Sequence, residues 1–131
     1  MSHFALQYIG KPYLLGGLGP DAYDCWGLAR AVLAHAGHNL PELSVGQTDN
    51  AAALRSIVDE QGWRRVDDQP RPFDAVLCLN AYGRHIAVCI EANGRPQYIH
   101  ADDVAGVEVL RGLDDFARRG YSQFEVWRHG D

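Results

Sequence analysis

Apolar residues in the first third of the chain follow a helical period. From residue 25 to residue 36, Leu28, Ala29, Val32, Leu33 and Ala36 recur at three and four, which predicts a helix with one buried face, closed by Gly37. A shorter helix is predicted over residues 4–8. It is ended by Gly10-Lys11-Pro12, because proline lacks a donor and disfavours helix in the residue before it. Residues 50–61 carry Leu54, Ile57 and Val58 on one side and predict a further helix stopped by Gly62. Beyond Gly62 the pattern changes to short β-branched or aromatic runs separated by Gly, Pro, Asn and Asp. Strands are predicted over residues 63–66, 73–79, 85–91, 97–101, 107–110 and 124–128. Helices ahead of an antiparallel sheet indicate an α+β domain with the Cys25 helix packed across the sheet.

At 131 residues the chain fits one domain, residues 1–131, able to bury roughly two-thirds of its unfolded surface. The net charge of -5 and the lack of a Lys/Arg-rich block argue against nucleic acid or an anionic membrane as partner, since neutralising phosphates needs clustered positive charge. Arg118-Arg119 reads as a solvated helix end. Met1-Ser2-His3-Phe4 has neither the basic start nor the apolar stretch of a signal peptide, and no run nears the ~18 apolar residues of a membrane span. The expectation is a soluble protein made in the cytoplasm, reaching any extracellular target through lysis, an injection apparatus or non-standard export. Three cysteines do not make a disulfide framework, and Cys78 and Cys89 sit in apolar strand-like runs as small buried hydrophobes.

Cys25 is placed differently. Asp24 is a helix N-cap residue type, which sets Cys25 in the first turn, where free N–H groups and the positive dipole end stabilise a thiolate. Taken alone, Cys25 is more simply an inert buried cysteine at a helix start. A glycine-rich approach, Gly16-Gly17-Leu18-Gly19, and a candidate base alter that balance. His85 opens an apolar strand, so its ring is expected at a sheet edge. If Asn93-Gly94 forms a two-residue turn, Ala87 faces His100 and His85 faces Asp102. Both His100 and Asp102 then share a face with His85, and the diagonal to His100 is roughly 7–8 Å between backbones. Either residue could hold the His85 ring, the third role in nucleophile, base and orienter logic.

Other candidates are weaker. His35 and His38 are spaced for a metal, but no further ligand pair completes a site, so no metal and no cofactor are expected. The glycine-rich stretch lacks the Gly-Lys-Ser/Thr of a phosphate loop. Asp102-Asp103 reads as a turn, and Trp63 and Trp127 as core aromatics.

Gly10-Lys11-Pro12-Tyr13 with Gly16-Gly17, Asp24-Cys25, Phe73-Asp74-Ala75-Val76, His85-Ile86-Ala87-Val88, and Tyr98-Ile99-His100-Ala101 with Gly106-Val107 occur in an order that resembles the NlpC/p-sixty family of papain-like cell-wall cysteine peptidases. The resemblance covers about residues 5–110. It implies a papain-like fold with Cys25 as nucleophile, His85 as base and His100 as third member. Tyr13 would lie beside the oxyanion site. The implied substrate is the peptidoglycan stem peptide, cut after D-γ-glutamate before a diamino acid, with Asp24 available to its free ammonium. Family members commonly carry a small residue where this chain has Trp26, which places Trp26 at the substrate pocket. Cys25-Trp26-Gly27-Leu28 in a short chain without a signal peptide resembles the branch found among phage tail proteins, with other tail proteins as partners. The alternative function is a tail-tip assembly or structural protein with weak or lost hydrolysis, which Trp26 filling the groove would favour.

Overall fold

The computed structural model describes residues 3–40, 62–81 and 83–130; the helix predicted over residues 50–61 lies outside them. A 3₁₀ helix, Phe4–Gln7, is followed by α1 (Cys25–Ala34), β1 (Trp63–Val66), β2 (Ala75–Asn80), β3 (Gly83–Ala92), β4 (Arg95–Asp102), β5 (Gly106–Leu110), α2 (Leu113–Arg118) and β6 (Ser122–His129). The strands form one antiparallel sheet in the order β1-β6-β2-β3-β4-β5, with β6 inserted between β1 and β2.

The sheet is covered on both faces. Ile86, Val88, Ile90, Ile99, Ala101 and Val107 bury against Leu28, Ala29, Val32 and Leu33 of α1. Their alternate neighbours Ala87, Cys89, Tyr98 and Leu110 bury with Phe116 of α2 and Tyr121. A strand buried on both faces reads as an unbroken apolar run, which is why β3 carries Ile86-Ala87-Val88-Cys89-Ile90 without polar alternation. α1 lies across β3 and β4, as the helical periodicity requires.

Boundaries depart from expectation where local hydrogen bonds differ. α1 ends at Ala34 rather than Ala36 because its last turn tightens: the N–H groups of His35 and Ala36 bond the carbonyls of Val32 and Leu33, three residues back, at 3.1 and 3.0 Å. β2 begins at Ala75 rather than Phe73. Phe73 has a left-handed backbone (φ 69°), and the Asp74 carboxylate takes the Arg71 N–H at 2.8 Å. α2 was expected only as a helix end at Arg118-Arg119; its short span holds one buried apolar residue, Phe116, too few for a period to register.

Asn93 and Gly94 both have positive φ (56° and 74°), the two-residue hairpin geometry. The ladder runs from Ala92↔Arg95 to Val88↔Ile99, the register set by a two-residue turn, and continuing it brings His100 opposite Ala87. At the far edge the N-terminal segment adds to β5: the Gly10 N–H bonds the Val107 carbonyl at 3.0 Å, and the Val107 N–H bonds the Lys11 carbonyl at 2.9 Å. Gly106 permits this, since a Cβ there would stand 2.6 Å from the Lys11 oxygen. No helix of the described residues is long and apolar enough to cross a membrane.

Candidate active site

Asp24 organises the mouth of α1. Its Oδ1 accepts the Gly27 N–H at 2.6 Å as the helix cap, and its Oδ2 accepts the Gly16 N–H at 3.0 Å, tying the glycine-rich loop to the first turn. At 2% exposure the carboxylate is enclosed by backbone donors; burial raises its pKa above the ordinary value, and those donors oppose the shift. Both oxygens are thus engaged by backbone N–H groups of the cap and the loop.

Cys25 follows in the first turn, half-buried. The backbone N–H groups of Ile86, Trp26 and Cys25 itself favour the thiolate, which places the sulfur by the residue next to His85. Burial nevertheless pushes the thiol up to about 11, and the Asp24 charge adds to the rise. Burial and the Asp24 charge thus act against the thiolate stabilisation expected from the helix N-terminus, because removing the sulfur from water penalises its anion.

Trp26 is 1% exposed and belongs to the core cluster on the α1 side, with Tyr8, Tyr23 and Leu28. The bulky side chain after the cysteine fills space between helix and sheet. Tyr13 is half-buried and packs on the same cluster as Cys25. Its segment is fixed by the Tyr23 N–H to the Pro12 carbonyl and the Leu14 N–H to the Tyr23 carbonyl, both at 3.1 Å.

His85 and His100 meet directly: Nε2 of His85 and Nδ1 of His100 are 2.8 Å apart, with the rings perpendicular. His100 is fully buried, and His85 is 7% exposed, deeper than a sheet-edge ring, because Tyr121 lies over it at 4.7 Å between ring centroids. Burial depresses both imidazoles below the usual histidine range. His100 lowers His85 further, while Asp102 and Glu108 partly offset the effect on His100. Asp102 does not hold the His85 ring. Its Oδ1 accepts the Val104 and Ala105 N–H groups at 3.0 and 2.6 Å, making it the turn residue between β4 and β5.

Four residues around the histidines were not anticipated for a site role. Glu108 stands opposite His100 across the β4–β5 ladder, with Oε2 3.1 Å from His100 Nε2. Arg119 pairs with Glu108 and lies 3.9 Å from Asp102. Phe116 packs on the His100 ring at 4.7 Å, and Tyr121, whose hydroxyl meets the Asn80 side chain, closes the other side. Potential ligand atoms of His100, Asp102 and Glu108 lie within 4.8 Å of one another, and the cation among them is the Arg119 guanidinium. Only Asp114 and Asp115 ahead of Arg118, charges suited to a helix dipole, hint in the sequence at the element delivering Phe116 and Arg119.

His35 bonds the Tyr8 hydroxyl at 2.7 Å, and His38 packs near Trp63 and His129, so the two serve separate contacts. Trp63 is a core residue, Trp127 packs against the core, and Cys78 and Cys89 are buried.

The chain is similar to proteins carrying this arrangement of elements. Across solved structures it resembles a lipoprotein-like NLP/P60 family protein of Staphylococcus aureus at TM-score 0.57 and 22% identity, covering 97% of this chain and 39% of that one, a likeness of fold. It is 30% identical over 100 residues to the probable endopeptidase p60 of Listeria monocytogenes, covering 76% of this chain and 18% of that protein. Against the probable endopeptidase p60 of Listeria innocua it is 28% identical over 123 residues, covering 93% of this chain and 22% of that protein. The chain thus spans about a fifth of the length of these curated relatives. A model of the NlpC/P60 family matches residues 10–125, and with that match over most of its length the chain belongs to the NlpC/P60 family.

Proposed function

We propose that the chain is a cysteine peptidase domain that hydrolyses peptidoglycan stem peptides, with Cys25 as nucleophile, His85 as base and His100 as the residue orienting that base. The observation that carries the reading is the buried His85–His100 pair at 2.8 Å, on the strand whose Ile86 N–H reaches the Cys25 sulfur. His100 engages Nε2 of His85, which leaves Nδ1 for the thiol.

With the thiol raised to about 11 and the imidazole depressed, both groups are neutral near pH 7. The proton therefore moves during attack: Nδ1 of His85 takes it as sulfur bonds to the scissile carbonyl carbon. Negative charge passes to the carbonyl oxygen, where the Cys25 backbone N–H and the Tyr13 hydroxyl would stabilise it. Collapse breaks the C–N bond, the leaving amine receives the proton from His85, and a thioester remains. Water, deprotonated by His85, attacks that thioester and frees the carboxylate product and the thiol. The family resemblance of Cys25 and His85 supports a bond after D-γ-glutamate before a diamino acid as the point of cleavage.

Cys25-Trp26-Gly27-Leu28 supports placing the domain among phage or prophage tail components. The rival reading is a tail-tip assembly or structural protein with weak or lost hydrolysis, which Trp26 filling the substrate groove would favour. Purified peptidoglycan should release stem-peptide fragments with the wild-type chain and none with Cys25→Ala, at equal thermal stability. Undiminished release by the variant would refute the assignment.

A further inference from the structure

Behind the histidine pair lies a chain of contacts that ends in a fixed charge, and its order determines where each proton sits. Glu108 stands in register with His100, its Oε2 3.1 Å from His100 Nε2, and Arg119 pairs with the same oxygen. A carboxylate held by a guanidinium only accepts, so His100 Nε2 must carry hydrogen. A neutral imidazole has one N–H, which leaves His100 Nδ1 bare. That nitrogen is 2.8 Å from His85 Nε2, so His85 Nε2 carries the hydrogen that joins them, and His85 Nδ1 is the bare nitrogen.

We propose that Glu108, clamped by Arg119, is a positioning residue that sets the tautomers of His100 and His85 and thereby leaves His85 Nδ1 free to accept the Cys25 proton. The inference rests on the peptidase reading for its purpose, but not for its proton positions. Other charged or titratable groups among the described residues also face the pair. Asp102 is engaged by its own turn, Tyr121 lies on the His85 ring, Cys78 stands opposite His85 across the β2–β3 ladder, and Glu108 and Arg119 form the end of the chain.

Glu108→Leu removes the acceptor. With nothing to take a hydrogen from His100 Nε2, that ring carries hydrogen on Nδ1, His85 accepts at Nε2, and His85 Nδ1 becomes protonated. Glu108→Gln keeps the wild-type order, because Arg119 and His100 share one Glu108 oxygen and an amide carbonyl in its place accepts from both.

Two-bond ¹H–¹⁵N correlation spectra of the full ¹⁵N-labelled chain near pH 7.5 read these states. Wild type should show both rings as the Nε2–H tautomer. Glu108→Leu should move both toward Nδ1–H, whereas Glu108→Gln should keep the wild-type tautomers. Arg119→Lys should keep the wild-type tautomers. A wild-type His100 protonated at Nδ1 would overturn the proposal without any variant, as would unchanged tautomers in a folded Glu108→Leu protein. The spectra need no substrate. If Cys25→Ala still cleaved peptidoglycan, the peptidase reading would fall while the measured tautomers continued to decide this one.

Discussion

Gly27, in the first turn of α1, faces the carbonyl oxygen of Gly17 so closely that a methyl group on it would stand 2.1 Å from that oxygen. The helix carrying Cys25 and the glycine-rich loop before it are thus packed backbone to backbone, with Asp24 bonded to both. Gly27→Ala must push the loop away from the helix. Overpacking of this kind costs about 1–3 kcal/mol, so the urea midpoint should fall, and Cys25 alkylation should change with it as the cap opens. An unchanged midpoint would mean that the loop yields freely and does not position the cysteine.

The Cys25 thiol, raised to about 11 by burial, should react as an ordinary buried thiol in the absence of substrate. Its alkylation rate is expected to rise about tenfold for each pH unit through the neutral range, because the thiolate fraction limits the rate. Cys78 and Cys89, pushed up to about 12 and buried, should stay silent while the fold is intact. A plateau below the ~8.5 of free cysteine would show that the helix terminus and His85 together overcome desolvation.

Asp74 and Arg128 form the buried ion pair of the sheet. Both Asp74 oxygens receive the Arg128 guanidinium at 2.7 to 3.1 Å, and hydrogen bonds to Asp74 and Asp68 hold the Arg128 pKa above the ordinary arginine value. Asp74→Ala leaves the guanidinium buried against Asp68 and the Gln69 carbonyl alone. A loss of about 3–5 kcal/mol is expected in urea titrations, with β6 detaching first in hydrogen exchange. Replacing both partners with apolar residues should recover much of the loss; failure to recover would argue against a pairwise origin.

The strands and their register were legible because their causes are local. Asn93-Gly94 sets the hairpin, and the hairpin sets which residues join His85 on one face. Asp24 marked the start of α1 for the same reason, and Gly37 marked its end to within two residues. What lay behind the histidines was not legible, because Glu108, Phe116, Arg119 and Tyr121 reach His85 and His100 only through the fold of β5, α2 and the approach to β6. The burial of Trp26 was not legible either, because its neighbour Cys25 drew it into the site while successive helix positions point some 100° apart.

The buried histidine pair should also set the acid sensitivity of the fold. His85 and His100 both titrate below the ordinary value of 6.5 in the folded chain, chiefly through desolvation. Below pH ~6.5 the unfolded chain binds protons at these positions and the native chain does not, so stability falls with falling pH, at up to about 1.4 kcal/mol per pH unit for each histidine. The stabilisation is complete above 6.5 and is lost progressively toward the folded pKa values. Urea midpoints at pH 7.5 and pH 5.5 should differ for wild type, and the difference should shrink in His100→Asn, which cannot take up that proton. Equal midpoints at the two pH values would mean that the pair accepts protons within the native state and that burial does not hold it neutral.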